Sequence, residues 1–336
     1  MSRAPADPPQ STAPGRLCPV HYRYRPAALA TAPDIEADTL YVAGGLYGNQ
    51  FALDVLESLA AAERGRVALA FNGDFNWFNV SPAGFESLNR RVLAHHASRG
   101  NVETELAADP SPGGMDAGCG CAYPDEVSDA DVARSNAMLA RLRDTARGAQ
   151  DLRTRLGTLP MFLAARVGGL RVGIVHGDAQ SLAGWDFAHD RLAESQVQAR
   201  IGAWFGQARV GLFASSHTCL PALREVRNSG DGGWVINNGA AGMPNFAGTR
   251  YGLVTRVSLA PASGAAAAAR LYGTRIDGVH VDALRLDYDH AAWMRRFLAD
   301  WPAGSDAHVS YWHRICEGPS FRPEQALASH AADVAA

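Results

Sequence analysis

The sequence contains no run of about 18 consecutive apolar residues, which is the length that a membrane-spanning helix requires. The first 16 residues also contain no apolar stretch of the kind that a secretory signal peptide has. Both absences argue against a membrane-bound or secreted protein. We therefore expect a cytoplasmic protein with no membrane partner.

The sequence also lacks a long run of basic residues. Its formal net charge at pH 7 is −3, charged residues make up 19% of the chain, and hydrophobic residues make up 47%. This is the composition of a globular protein rather than of a disordered one. Nucleic acid is therefore not an expected partner, although a local basic patch stays open. Nothing in the sequence indicates an oligomeric state.

Cysteines are few and odd in number, which argues against a disulfide framework in a protein that is not secreted. The five are Cys18, Cys119, Cys121, Cys219 and Cys316. Cys119 and Cys121 are separated by one glycine, in a segment rich in glycine and proline that offers few apolar residues for packing. We interpret these two thiols either as unrelated loop residues or as members of a metal site.

The distribution of proline, glycine and apolar residues divides the chain into a tail, one domain and a second tail. Residues 1–16 are rich in Pro, Ala and Ser and are predicted to be a disordered tail. Residues 17–320 are expected to form a single domain, and residues 321–336 a C-terminal tail, whose last residues, 324–336, are either frayed or a contact helix. Within the domain, residues 105–127 are predicted to be a long irregular loop, and such loops are usually functional or mobile.

The domain begins with a pattern typical of an α/β fold. Thr39–Ala43 is predicted to be a buried strand, the apolar spacing over 51–64 indicates a helix, and 66–71 is predicted to be the next strand. This order predicts a parallel sheet with functional groups on the loops that follow the strands. Residues 161–175 are predicted to be a hairpin that turns at Gly168-Gly169.

Further elements are predicted in the second half of the chain. Ser128 and Asp131 are typical of a helix start, and the helix is expected to run to about residue 146. Strands are predicted at 210–214, 234–237 and 251–259, a strand pair at 269–274 and 279–288, and a last helix from about residue 290.

Six short polar segments follow predicted strands or turns. In chain order they are Gly45-Leu46-Tyr47-Gly48-Asn49, Gly73-Asp74, Gly100-Asn101-Val102-Glu103, His176-Gly177-Asp178, Ser216-His217-Thr218-Cys219 and Asn237-Asn238-Gly239-Ala240-Ala241-Gly242. Any one of them alone is typical of a turn. Their joint order is what carries information.

Taken in order, the six segments resemble the signature of the calcineurin-like metallophosphoesterases, which runs D-x-H-G-N, G-D, G-N-[H/x]-[E/D], H-G-[H/x], G-H-T-H and N-x-G-[S/x]. The resemblance covers roughly residues 39–245. It implies an α/β fold of the αββα sandwich type, with two packed mixed sheets flanked by helices. It also implies a site for two metal ions at the strand ends.

Residue by residue, the resemblance implies four ligands for the second metal. Asp74 matches the bridging aspartate, Asn101 matches the asparagine ligand, and His176 and His217 match the two histidines. One carboxylate, one amide oxygen and two imidazoles suit Mn²⁺, Fe²⁺ or Zn²⁺. These four residues are the predicted catalytic and metal-binding set, with one or two ions per chain.

The first metal site departs from the family pattern. Gly45 and Tyr47 stand where the aspartate and histidine of D-x-H are expected, and Cys219 stands where the last histidine of G-H-T-H is expected. This site is either lost or rebuilt, with Tyr47 and Cys219 as candidate ligands. Cys119 and Cys121 are further candidates for a thiolate-rich site with Cys219, to which Cys18 and His21 could add.

Two more positions bear on the mechanism. Val102 stands where many family members have a histidine that helps to protonate the leaving group. Asp178 stands where the second histidine of H-G-H is expected, and it either orients His176 or closes a turn. Trp77 and Phe78 follow Asp74 and could contact a substrate, although aromatic residues at a strand end more often belong to the core.

The resemblance implies a metallophosphoesterase-type hydrolase that cleaves a phosphate monoester or diester with a metal-activated water. The substrate is expected to be a small-molecule phosphate ester or a phosphorylated molecule. Two alternatives stay open. One is a catalytically degenerate descendant of the fold that binds a metal or another ligand, and the other is a thiol or redox metalloenzyme with a Cys/His metal site.

Overall fold

The computed structural model describes residues 13–108, 116–227 and 232–327. Most of the predicted N-terminal tail, the middle of the predicted 105–127 loop and the last nine residues of the predicted C-terminal tail lie outside these ranges.

Twelve strands lie within the described residues. They are β1 Asp34–Ala37, β2 Thr39–Ala43, β3 Val67–Asn72, β4 His96–Ser98, β5 Phe162–Val167, β6 Leu170–Val175, β7 Leu212–Ser215, β8 Pro221–Val226, β9 Gly233–Asn238, β10 Gly252–Ser258, β11 Arg270–Ile276 and β12 Val279–Leu286.

Eleven α-helices lie within the same ranges. They are α1 Ala27–Ala30, α2 Gln50–Ala61, α3 Pro82–Val92, α4 Asn101–Ala107, α5 Asp129–Arg147, α6 Gln150–Thr158, α7 Ser195–Ala208, α8 Gly264–Ala269, α9 His290–Asp300, α10 Asp306–Glu317 and α11 Pro323–Leu327. None of these helices combines the length and the apolar character needed to cross a bilayer.

The strands form two sheets of six strands each. One sheet has the order β1-β5-β6-β7-β9-β8 and the other has the order β11-β12-β10-β2-β3-β4. Both are mixed, because β2, β3 and β4 pair in parallel while β10 pairs antiparallel with β2 and β12. In the other sheet β6, β7 and β9 are parallel, and β5 and β8 are antiparallel to their neighbours β6 and β9.

The two sheets pack face to face, with helices on both outer sides. In β2, Leu40 and Val42 belong to the core between the sheets, while Tyr41 and Ala43 face the helix side. Both faces of this strand are buried, which explains its continuous apolar run. The second sheet carries α2, α3, α5 and α9 on its outer face, and the first carries α7. The predicted sandwich of two mixed sheets flanked by helices is confirmed.

Local signals in the sequence set several of these elements. Asn49 caps α2, since its side-chain oxygen accepts a hydrogen bond from the Ala52 N–H at 3.1 Å. Ser128 caps α5 by accepting one from the Asp131 N–H at 3.2 Å, as predicted. The predicted hairpin is the antiparallel pair of β5 and β6. The sequence pattern did not reveal β1, β8, α7 or α10.

The predicted loop at 105–127 begins later than expected, because α4 continues to Ala107. Glu105, inside the predicted loop, is held in the helix by two partners. Its carboxylate accepts a hydrogen bond from the Tyr22 hydroxyl at 2.6 Å and pairs with Arg143 at 2.8 Å. A buried glutamate that is held by a hydrogen bond and an ion pair is incompatible with a free loop.

Both predicted tails are partly folded. At the N-terminal end, Arg16 donates hydrogen bonds to the carbonyls of Pro124 and Val127 at 2.8 and 2.6 Å. At the C-terminal end, Phe321 is buried and Pro323–Leu327 is helical, which agrees with a contact helix rather than a frayed tail as far as residue 327. The reason is Arg224 of β8, which donates to the carbonyls of Gln325 and Ala326.

A buried ion pair joins β10 to the end of α2. The fully buried guanidinium of Arg256 donates to both carboxylate oxygens of Glu63, at 2.6 and 3.1 Å, and Glu63 also accepts from the Tyr41 hydroxyl at 2.8 Å. Burial alone would raise the pKa of Glu63, but the hydrogen bonds from Arg256 and Tyr41 lower it overall. Glu63 is therefore held as a carboxylate.

We predict that Arg256→Met lowers the free energy of unfolding by about 3–5 kcal/mol, because it leaves a largely buried carboxylate without its cation. Urea denaturation measures this change. The control is Arg90→Met, which removes a solvent-exposed pair with Glu86 and should leave the free energy of unfolding nearly unchanged. Equal losses in the two variants would contradict the prediction.

Candidate metal centre

Four polar residues from four loops meet at the carboxyl ends of the strands. Asp74 follows β3, Asn101 is the first residue of α4, His176 follows β6 and His217 follows β7. All four are buried, with His176 fully enclosed and the others at most 6% exposed. The four residues that the family resemblance assigned to the second metal are therefore neighbours in space.

Their donor atoms are spaced as ligands of one ion would be. His176 Nε2 lies 3.3 Å from Asp74 Oδ2 and 3.0 Å from Asn101 Oδ1. It lies 3.1 Å from His217 Nδ1. Around a tetrahedral ion with bonds of about 2.0–2.1 Å, ligand atoms are about 3.3 Å apart. Asp74, His176 and His217 form the one group of three metal-ligating side chains found in the described ranges.

Backbone carbonyls fix which nitrogen of each imidazole faces the centre. His176 Nδ1 lies 2.8 Å from the Asn72 carbonyl, and His217 Nε2 lies 3.1 Å from the Cys121 carbonyl. A carbonyl accepts only, so these two nitrogens carry the protons. When a ring is neutral, its lone pair is then on the nitrogen that faces the centre, which is Nε2 of His176 and Nδ1 of His217, and these two nitrogens face each other. Such an arrangement is typical of metal-bound histidines.

The amide of Asn101 is oriented in the same way. Its Nδ2 donates to the Cys119 carbonyl at 2.9 Å, which turns Oδ1 toward His176. Four acceptor atoms therefore converge, and they would repel one another unless a proton or a cation lay between them. The residues present fit a divalent transition metal with one carboxylate, one amide oxygen and two imidazoles.

The protonation states of Asp74, His176 and His217 depend on one another. Burial and the neighbouring His176 lower the pKa of His217 to about 3, which keeps His217 neutral. Burial alone would also lower the pKa of His176, but the carboxylate of Asp74 outweighs burial and raises it. For Asp74, burial alone would raise the pKa, and the two histidines lower it overall. Asp74 is therefore held as a carboxylate, and it favours the protonated form of the neighbouring His176.

Glu103 was not among the predicted site residues, yet it shapes the loop that holds Asp74. Its fully buried carboxylate accepts hydrogen bonds from the backbone N–H groups of Asp74 at 2.7 Å, Phe75 at 3.1 Å and Gly100 at 3.0 Å. Asp74 has a φ of 53°, a left-handed conformation that these bonds stabilise. Burial and the charge of Asp74 raise the pKa of Glu103 to about 7.

Tyr47 and Cys219, the candidate ligands for a rebuilt first site, contact each other. The Tyr47 hydroxyl lies 2.8 Å from Cys219 Sγ, and this thiol donates to the His217 carbonyl at 3.2 Å. Burial raises the pKa of Tyr47, and burial also raises that of Cys219. A side chain at Gly45 would come within 2.9 Å of the Tyr47 ring, so glycine at this position makes room for the tyrosine.

Cys119 and Cys121 lie at the centre, but their thiols do not form a metal site with Cys219. Within the described parts of the chain, no group of three metal-ligating side chains includes a cysteine. Instead the backbone carbonyls of these two residues orient Asn101 and His217. Cys18 lies elsewhere, with its thiol 3.3 Å from the Ser181 hydroxyl. The described residues therefore give no geometric support to the predicted thiolate-rich site.

The two positions that bear on the mechanism are also defined. Asp178 closes a turn, because one oxygen of its carboxylate accepts hydrogen bonds from the backbone N–H groups of Gln180 and Ser181, at 2.8 and 2.9 Å. Its other oxygen accepts a hydrogen bond from the backbone N–H of Asp186 at 3.4 Å. Val102 lines the cavity above the centre, and its aliphatic side chain has no proton to donate to a leaving group.

The centre forms the floor of a cavity of about 190 Å³. Asp74, Asn101 and His217 belong to its lining, so one side of the four-residue set faces the open space. An open coordination side is what separates a catalytic metal site from a structural one. The rest of the lining comprises Tyr47, Trp77, Val102, Cys121, Tyr123, Trp185, Thr218, Cys219, Tyr311 and Arg314.

No protein-family model matches the chain, and no curated protein matches it in sequence. Its structure is similar to that of a metallophosphoesterase from Sphaerobacter thermophilus, with a TM-score of 0.51 and 17% identity over 84% of this chain and 100% of that one. It is also similar to a hypothetical protein from Pyrococcus horikoshii OT3, with a TM-score of 0.54 and 15% identity over 85% of this chain and 100% of that one. The chain therefore has the metallophosphoesterase fold that the sequence resemblance implied.

We predict that Cys119→Ala combined with Cys121→Ala leaves the stoichiometry of Mn²⁺ binding unchanged, because these residues act through their carbonyls and not through their thiols. Isothermal titration with Mn²⁺ measures the stoichiometry and the affinity. His217→Ala, which removes an imidazole facing the centre, should weaken binding by at least about tenfold. Loss of binding in the double cysteine variant alone would contradict the prediction.

Proposed function

We propose that this protein is a metal-dependent phosphoesterase that hydrolyses a phosphate monoester or diester of a small molecule or of a phosphorylated substrate. The observation that carries the proposal is the convergence of four acceptor atoms at the floor of an open cavity. Asp74, Asn101, His176 and His217 would hold a divalent Mn, Fe or Zn ion there. When bound, such an ion polarises a phosphoryl oxygen and lowers the pKa of a bound water.

The protein's own residues prepare the site for an anionic ester. The guanidinium of Arg314 belongs to the cavity wall and is fixed by hydrogen bonds to the carbonyls of Cys219 at 2.6 Å and Pro244 at 3.1 Å. Its positive charge attracts a phosphate group, as a fixed guanidinium does at many phosphate sites. Glu103 and the backbone around Asp74 keep the carboxylate aimed at the centre.

We propose that the site holds one ion per chain. The Tyr47 hydroxyl shares a hydrogen bond with the Cys219 thiol, and this thiol donates to the His217 carbonyl. Burial raises the pKa of both groups, so both are neutral. A neutral phenol and a neutral thiol are poor ligands compared with a carboxylate and an imidazole. The pair therefore closes one side of the cavity and does not rebuild the first metal site.

The alternative of a degenerate, non-hydrolytic descendant keeps one observation in its favour, which is the same Tyr47–Cys219 pair. The thiol or redox alternative loses its basis, because Cys119, Cys121 and Cys219 share no ligand group in the described residues. Turnover and metal content separate the first alternative from the proposed phosphoesterase.

We expect Mn²⁺-dependent hydrolysis of p-nitrophenyl phosphate or bis-p-nitrophenyl phosphate, measured as release of p-nitrophenol. Asp74→Asn should lower kcat by at least about a hundredfold, since it removes the carboxylate charge that faces the ion. The matched control is Asp178→Asn, the same change at a buried aspartate whose carboxylate accepts hydrogen bonds from backbone N–H groups of its own loop. Similar losses in both variants, or no turnover by the intact protein, would sink the proposed activity.

Elemental analysis of Mn²⁺-loaded protein, purified under reducing conditions, should give about one metal per chain. The double variant Tyr47→Phe, Cys219→Ala should keep this value, because neither side chain is proposed to be a ligand. Asp74→Asn combined with His217→Ala should bring the value close to zero. A content of about two ions that falls to one in the Tyr47/Cys219 variant would show that the first site is rebuilt after all.

A further inference from the structure

The cavity above the candidate metal centre has aromatic walls. Trp77, Tyr123, Trp185 and Tyr311 all belong to its lining, and they come from three separate loops and from α10. The indole of Trp185 packs edge-on against the ring of His217, with 5.4 Å between the centroids, and lies 6.2 Å from the ring of Tyr123. An aromatic surface therefore begins directly beside one of the residues at the centre.

The polar atoms of two of these aromatic residues are hydrogen-bonded within the protein. Trp185 Nε1 donates to the Cys121 carbonyl at 3.1 Å, the same carbonyl that accepts from His217. The Tyr123 hydroxyl bonds to the Ser135 hydroxyl at 3.1 Å. What these two side chains leave for a ligand is ring surface, which favours an apolar or aromatic group.

The size and charge of the cavity further restrict the kind of ligand that it can bind. A cavity of about 150 Å³ lined by apolar side chains holds one benzene molecule. The volume here is about 190 Å³, with one arginine, Arg314, in the lining. This space fits a phosphoryl group and one ring better than a base with its ribose, or a ligand that carries several charges.

Val102 adds a chemical argument to the geometric one. It lies in the cavity wall at the start of α4, and its side chain has no proton for a leaving group. An alkoxide leaves slowly without protonation, whereas a phenolate is stable enough to leave as the anion. In hydrolysis of an aryl ester, a water oxygen forms the new P–O bond and releases one proton to solvent, and the phenolate leaves with the electrons of the old P–O bond. The phenolate then takes a proton from solvent.

We propose that the site selects phosphate esters of a single-ring phenol, with the ring held between Trp185 and the Trp77/Tyr311 wall and the phosphoryl group at the centre. The position of the phosphoryl group rests on the proposed phosphoesterase function. The selection of the ring rests on the aromatic cavity walls and on the aliphatic side chain of Val102, and it does not depend on turnover.

Phenylphosphonate and methylphosphonate test the ring without any turnover, because neither has an ester bond that the protein could hydrolyse. We expect Mn²⁺-loaded protein to bind phenylphosphonate at least about tenfold more tightly than methylphosphonate, since burial of one ring is worth at least that factor. Isothermal titration gives both constants, and quenching of tryptophan fluorescence gives a second reading.

Trp185→Leu should remove most of the preference for the phenyl compound, measured as the ratio of the two dissociation constants. The matched control is Trp234→Leu, a partly buried tryptophan of β9 that is not part of the cavity lining. It should keep the full preference. An unchanged methylphosphonate constant also shows that the loss of Trp185 has not disturbed the centre through the Cys121 carbonyl.

Equal binding of the two phosphonates would overturn the proposal, and so would a preference that survives Trp185→Leu. Binding of neither compound would overturn both the ring selection and the phosphoryl position. Preference for the phenyl compound without hydrolysis of any aryl ester would support the ring selection while sinking the proposed activity. A tripeptide with a central phosphonomethyl-phenylalanine separates the two sources of such a ring. If it binds as tightly as phenylphosphonate, the ring can belong to a peptide. If only phenylphosphonate binds, the ligand is a free aryl ester.

Discussion

The hydrogen bond from His176 Nδ1 to the Asn72 carbonyl joins the two sheets at the point where the candidate metal centre lies. Asn72 ends β3 in one sheet and His176 follows β6 in the other, and Asn72 Nδ2 donates in return to the Val175 carbonyl at 2.8 Å. The backbone N–H groups of Ser216 and His217 then bond to the His176 carbonyl. The distance between the sheets, the tautomer of His176 and the position of His217 are therefore set by one connected group of bonds.

The cavity lining combines two kinds of chemistry. Asp74, Asn101 and His217 present charge and lone pairs that suit a cation. Tyr47 and Cys219 form a hydrogen-bonded pair in the same lining, together with several aromatic rings. Gly45 belongs with the Tyr47–Cys219 pair, since only a residue without a side chain leaves room for the tyrosine ring. The substitutions against the family pattern thus form one packed unit rather than unrelated losses.

The Cys-Gly-Cys segment shows why a residue type can mislead when its position is known only in the sequence. Its cysteines suggested thiolate ligands, yet the Cys121 carbonyl accepts from His217 and Trp185, and the Cys119 carbonyl accepts from Asn101. The same short segment therefore orients two residues of the centre and one aromatic wall. Any side chain compatible with this backbone would present the same carbonyls, so composition could not reveal the role.

The sequence by itself determined the layered α/β architecture, the parallel pairing of β2 with β3, the hairpin of β5 and β6, and the loops that meet at the centre. Apolar periodicity, caps and turn residues act over a few positions, so they can be read locally. Only the tertiary structure decided the imidazole tautomers, the Tyr47–Cys219 pair, the packing of Phe321 and the aromatic walls. These depend on contacts between residues tens to hundreds of positions apart, and no local pattern specifies which distant groups will meet.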